Sequence, residues 1–170
     1  MIYFRKQQID NLTEFQEKVL KQLPNECFSQ IGVLHQYHNE LMKIVEIKNL
    51  ITQLNLDNNL SYTAIITMPP NAIGPVHIDG GEIDSTSLNI PILNCKNTFM
   101  SWYTSTETLK RVELEKDKVY YGADLNTCIK VASVEMTDSY FVNIKELHNG
   151  HNPNNTWRIL LSIRLTNFNL

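Results

Sequence analysis

The run Trp157-Arg158-Ile159-Leu160-Leu161-Ser162-Ile163-Arg164-Leu165 restricts the fold more than any other stretch. Successive side chains of an extended strand leave on opposite faces. Ile159, Leu161, Ile163 and Leu165 therefore form one unbroken apolar face, while Arg158, Leu160, Ser162 and Arg164 share the other. The apolar face needs a covering layer. The second face turns an arginine into a barrel or sandwich interior, where an unpaired guanidinium is costly. A bound carboxylate would remove that cost through a bidentate pair.

The covering layer can be found upstream. Leu12, Phe15, Val19, Leu20 and Leu23 make a helical stripe over Asn11–Pro24, with Asp10, Asn11 or Thr13 as cap and Pro24 as stop. A second helix is predicted from about Asn39 to Leu54, where Leu41, Ile44, Val45, Ile51 and Leu54 recur at helical spacing. Residues 25–37 read as a short strand or an irregular connection. After Leu56-Asp57-Asn58-Asn59 the pattern becomes strand-like, at 62–68, 75–79, 86–93, 98–104, 118–121, 127–136, 139–145 and 157–166. Thr104–Asp117 is polar and charged, and is expected to be a solvated loop with one helical turn. Helices followed by short strands predict a mainly β, α+β chain: an antiparallel sandwich or barrel with N-terminal helices packed on one sheet. At 170 residues, without repeat or linker, this is one domain, with 1–60 as helical support and 61–170 as the β core.

Charge and cysteine usage narrow the function classes. A net charge of −3 leaves no basic footprint for nucleic-acid backbone. Cys27, Cys95 and Cys128 are odd in number and lack zinc or CxxC spacing, as expected of reduced thiols in a cytoplasmic protein. Cys95, beside Lys96 at a strand end, reads as inert. No apolar run suits a leader or a membrane span. Nucleophile-elbow, phosphate-loop, dinucleotide and HExxH motifs are all missing. Oligomeric state is not written in the chain.

Chemistry concentrates at Gly74-Pro75-Val76-His77-Ile78-Asp79-Gly80-Gly81. In a strand, His77 and Asp79 share a face, and the Gly-Gly step lets the backbone turn away. A His and a carboxylate side by side supply two ligands of a 2-His-1-carboxylate set, the site of non-haem Fe(II) oxygenases. Alone, the pair more often describes a His hydrogen-bonded to a nearby carboxylate. A second His comes late, at His148 or His151, and Arg158 follows ten residues after His148.

With these motifs the chain resembles the Fe(II)/2-oxoglutarate-dependent oxygenases, closest to small phage- and bacterium-type members and to the aspartyl/asparaginyl hydroxylase-like branch. The residues that carry the resemblance are Gly74–Gly80, Leu147-His148-Asn149-Gly150-His151-Asn152-Pro153 and Arg158–Arg164, with Ser87–Cys95 and Phe99–Tyr103 similar to the central strands. It covers about residues 60–166 and implies a double-stranded β-helix (jelly-roll) core. It also implies His77, Asp79 and His148 as Fe(II) ligands, with His148 preferred over His151. Arg158 would hold the C5 carboxylate of 2-oxoglutarate, with Arg164, near the strand end, as fallback or else a solvated or pairing residue; Tyr103 and Asn89 would face the cosubstrate or else serve core packing and turn hydrogen bonding. The implied activity uses O2 and 2-oxoglutarate, yields succinate and CO2, and hydroxylates a small molecule, an amino acid or a protein side chain. Two alternatives stay open: a non-catalytic jelly-roll binding module, and a cupin-like metal enzyme that adds Glu82 and uses no oxo acid.

Overall fold

In the computed structural model, which describes residues 1–28, 31–34, 37–79, 84–115 and 118–170, the apolar face of the last strand is covered as its sequence demands. Strand β13 (Arg158–Thr166) sends Ile159, Leu161, Ile163 and Leu165 into one cluster with Phe15 and Val19 of helix α1 (Leu12–Leu20) and Ile47, Leu50 and Ile51 of helix α3 (Val45–Gln53). Asn11 occupies the cap position of α1 in a left-handed conformation (φ 52°) and makes no side-chain cap bond. Asn tolerates that region better than most residues.

The single second helix expected from the sequence is broken in two. Helix α2 (His38–Leu41) ends, Ile44 turns extended (φ −71°, ψ 115°), and α3 begins. The break lets Leu41, Ile44 and Ile47 all reach the same core. Tertiary packing here overrides a helical spacing that is continuous in sequence.

The remaining strands are β1 (Phe4–Gln7), β2 (Gly32–Leu34), β3 (Leu60–Met68), β4 (Ala72–Ile73), β5 (Val76–Ile78), β6 (Asp84–Leu93), β7 (Phe99–Ser105), β8 (Lys110–Glu115), β9 (Lys118–Ala123), β10 (Cys128–Glu135), β11 (Ser139–Asn143) and β12 (His148–Asn152). They form two antiparallel sheets. One runs β1-β11-β6-β13-β3-β2; the other runs β10-β7-β12-β5-β9-β8, with β4 paired to β12. This is the mainly β jelly roll with helices on one sheet that the sequence predicts. Residues 25–37, read as a short strand or an irregular connection, hold the short strand β2. Several details differ from expectation: β1 joins the first sheet, β4 and β12 are strands in stretches where none was expected, and Thr104–Asp117 contains β8, an edge strand paired with β9, where a loop was expected. Edge strands are often charged, so pairing shows there without an apolar alternation.

Between the sheets lies a second core of Met100, Trp102, Val134, Met136, Val142, Ile144 and Leu160. Trp102 is fully buried, donates from Nε1 to the Asn143 carbonyl at 2.9 Å and stacks on Phe4 at 5.4 Å. Truncating such a side chain costs roughly 3–5 kcal/mol. This core fills one end of the interior and leaves the other to polar residues. Among the described residues no helix is long and apolar enough to cross a membrane.

Candidate metal centre

Strands β5 and β12 are neighbours, and their register sets His77 directly opposite His148. Directly opposed residues of an antiparallel pair share a face. Asp79, just past β5, is tied down by its own N–H, which donates to the Ile144 carbonyl at 3.1 Å. Its carboxylate shares the face of both rings: Oδ1 lies 3.0 Å from His77 Nε2 and 3.8 Å from His148 Nε2. The three ligand atoms fall within 4.8 Å of one another, so the group could hold a metal ion.

The proton positions can be deduced. His77 Nδ1 lies 2.9 Å from the Pro75 carbonyl, and His148 Nδ1 lies 2.8 Å from the Glu146 carbonyl. A carbonyl oxygen only accepts, so each Nδ1 carries the hydrogen and donates. Burial pushes the His148 imidazole down to about 4, against the pull of Asp79, so its Nε2 is a bare lone pair at neutral pH. That lone pair is directed at a carboxylate oxygen, an arrangement a cation between them would relieve. A backbone acceptor behind each ligating imidazole is the usual outer support of metal-bound histidine. The donor set fits a divalent transition metal.

The opposite wall comes from β13. Arg164 Nη1 donates to Asp79 Oδ2, leaving Oδ1 toward the imidazoles. Burial pushes the Asp79 carboxyl up, but the Arg164 guanidinium against it more than offsets this and holds it well below the ordinary carboxylate range. Arg158, on the same face of the strand, is equally buried, but its Nε and Nη1 meet no hydrogen-bond acceptor among the described residues. Burial lowers its guanidinium to about 10, which still leaves a cation at neutral pH. Gly150 makes room for it: a Cβ there would lie 3.1 Å from Arg158 Nη2.

Both arginines and all three ligands line one cavity of about 90 Å3, closed by Ile66, Asn89, Met100, Ile144, Gly150 and Leu160. A single water needs roughly 10–15 Å3 on the same measure, so there is room for several waters or a small organic anion. Asn89 faces this cavity, accepting from Ser87 Oγ at 2.7 Å and contacting Met100 Sδ at 3.7 Å.

Tyr103 does not reach the cavity, contrary to the expectation that it would face the cosubstrate. His148 pairs with Trp102, so Tyr103 falls on the other face of the sheet, where its hydroxyl donates to Asn149 Oδ1 at 3.0 Å. His151 lies on that outer face too, 6.4 Å from the Phe99 ring and lining an outer concavity with Tyr103 and Asn149. Gly80, Gly81 and Glu82 lie outside the described residues. Arg164 as the partner of Asp79, and Gly150 as the space beside Arg158, were missed by sequence reasoning. Strand parity placed Arg164 on the right face but could not name its partner. Cys95 is buried, bonded to the Leu93 and Ile159 carbonyls at 3.2 Å, and its thiol is pushed up by burial, so it is inert.

No family model and no curated protein matches this chain. Solved structures match its fold. EvdMO1 superposes with a TM-score of 0.58 at 12% identity, over 97% of this chain and 47% of that one, so the chain spans about half its length. AviO1 from Streptomyces viridochromogenes Tue57 gives 0.54 at 14% identity, over 97% and 90% of the two chains. EvdO2 from Micromonospora carbonacea var. aurantiaca gives 0.55 at 13% identity, over 95% and 93%. At these identities the likeness is one of fold.

Proposed function

We propose that the chain is an Fe(II)- and 2-oxoglutarate-dependent oxygenase that hydroxylates its substrate. The observation that carries this reading is Arg158: a buried cation whose Nε and Nη1 have no acceptor among the described residues, lining the cavity that three metal-ligating groups also line. A structural arginine would be paired, as Arg164 is. A small dianion with one carboxylate for Arg158, bound beside a metal held by His77, Asp79 and His148, would account for both walls of the cavity at once.

His77, Asp79 and His148 would hold the ferrous ion, and Arg158 the far carboxylate of 2-oxoglutarate. Bound there, iron with the oxo acid and O2 supplies the oxidation, in which a substrate C–H becomes C–OH while 2-oxoglutarate becomes succinate and CO2, one oxygen atom of O2 entering each organic product. The protein's own groups do the positioning. The Pro75 and Glu146 carbonyls fix the ring tautomers, and Arg164 occupies one oxygen of Asp79 so that the other serves the metal. Ile66, Met100, Ile144 and Leu160 exclude water around the ion pair that Arg158 would form, which strengthens it.

The test is aerobic succinate formation from 2-oxoglutarate with added Fe(II). Wild type should release succinate even without a prime substrate, and His77→Ala and His148→Ala should not. Tight metal binding with no succinate in wild type would instead point to a metal enzyme that does not use the oxo acid.

A further inference from the structure

The metal cavity opens into a larger one. A concavity of about 450 Å3 shares Ile66, His77, Asp79, Gly150 and Arg158 with it, so the two are continuous. Its volume lies in the range of small-molecule sites, roughly 300–1,000 Å3. Beyond the shared residues it is lined by Thr67, Met68, Pro69, Ala72, Pro75 and Tyr120, with Ile31, 69% exposed, at its edge; Ile73 pairs with His151 and so belongs with it to the outer face.

The charges in this concavity are already assigned. Among the described residues, its ionisable side chains are His77, Asp79, Arg158 and the Tyr120 phenol. The first two are committed to the metal set, and Arg158 to the oxo acid. An ammonium, carboxylate or phosphate entering beside them would lose water and gain no countercharge, which is strongly unfavourable.

We infer that the prime substrate is an uncharged, predominantly apolar small molecule, which enters past Ile31 and lies along Met68, Pro69 and Ala72 with its reacting carbon toward His77 and Asp79. This rests on the oxygenase reading both for the chemistry and for committing Arg158, His77 and Asp79, while the pocket's preference can be measured by itself.

The experiment is a fluorescence titration of the full-length protein with Nile red, an uncharged apolar dye, under anaerobic conditions with and without Fe(II) and 2-oxoglutarate. Saturable binding of one equivalent is expected in both. Ala72→Trp, which fills the groove, should weaken it at least tenfold. Ile31→Asp, at an exposed position where folding is insensitive, should weaken it about fivefold by charging the mouth. Millimolar leucine, phenylalanine or AMP should displace none of the dye. Absence of saturable binding, affinity unchanged in both variants, or displacement by any of those charged molecules would overturn the inference. If the visible band of an iron–oxo-acid complex fails to form while the dye behaves as expected, the oxygenase reading falls and the apolar preference stands. If the band forms and the dye does not bind, the inference falls alone.

Discussion

The two ends of the inward face of β13 carry the same side chain in opposite circumstances. Arg164 and Arg158 are both buried, at 6% and 4% exposure, on one strand and one face. Arg164 meets Asp79, whereas Arg158 meets no acceptor at Nε or Nη1 among the described residues. A charge that is buried and paired shapes the ligand set; a charge that is buried and unpaired signals a partner that arrives from outside. The difference separates what builds this site from what the site is for.

The sharpest way to break the comparison is to remove each guanidinium in turn. Arg164→Met should strand the Asp79 carboxylate and cost about 3–5 kcal/mol of stability in urea unfolding without metal. Equal stability in that variant would mean the Asp79 contact is only incidental.

Acid should act on the same end of the strand. The His148 imidazole falls from an ordinary 6.5 to about 4 on folding, so the unfolded chain takes up a proton first as pH drops. Stability supplied by the neutral ring is therefore full above pH 6.5 and is lost between 6.5 and about 4, by on the order of 3 kcal/mol. Asp79, whose carboxyl lies low in the folded state, adds a loss at still lower pH. Thermal melting of the metal-free protein should thus decline from pH 7 to 4, and His148→Gln should flatten the upper part of that decline.

Arg158→Met should do the reverse of Arg164→Met. Relieving an unsatisfied buried cation should leave the ligand-free protein as stable or more so, by about 1–3 kcal/mol. With Mn(II) present, 2-oxoglutarate at a hundred times its Kd should stabilise wild type by about 2.7 kcal/mol, and the variant should lose that gain. A smaller effect is expected of Gly150→Ala, whose methyl would crowd Arg158 Nη2 at 3.1 Å. The guanidinium is the end of a flexible side chain and can shift, so folding should be little affected while 2-oxoglutarate binding weakens by about tenfold, or ~1.4 kcal/mol.

The arginine pair also shows what a sequence can and cannot carry. Alternation alone put Arg158 and Arg164 on one face and the four aliphatic residues on the other, because strand parity is a local property. The fold class followed from the same parity plus the helical stripes. His77 and Asp79 were legible as a pair for that reason, and His148 through the resemblance to a known motif. What was not legible depended on register between strands distant in the chain. Tyr103 belongs to the outer face only because Trp102, its neighbour, pairs with His148. Arg164 finds Asp79 across the interior between the two sheets, a contact that no spacing encodes. The break between α2 and α3 and the pairing of β8 likewise follow from tertiary contacts, not from the residues' own preferences.

The most direct measurement is an anaerobic titration of the protein with Fe(II) followed by 2-oxoglutarate, monitored for the visible metal-to-ligand charge-transfer band of a chelated oxo acid. Wild type should develop the band with one equivalent of each, His148→Ala should not, and Arg158→Met should require far more 2-oxoglutarate to reach it. A wild-type protein that binds iron yet shows no band at saturating 2-oxoglutarate, or a band that survives His148→Ala unchanged, would contradict the assignment of these residues to one iron and one oxo acid.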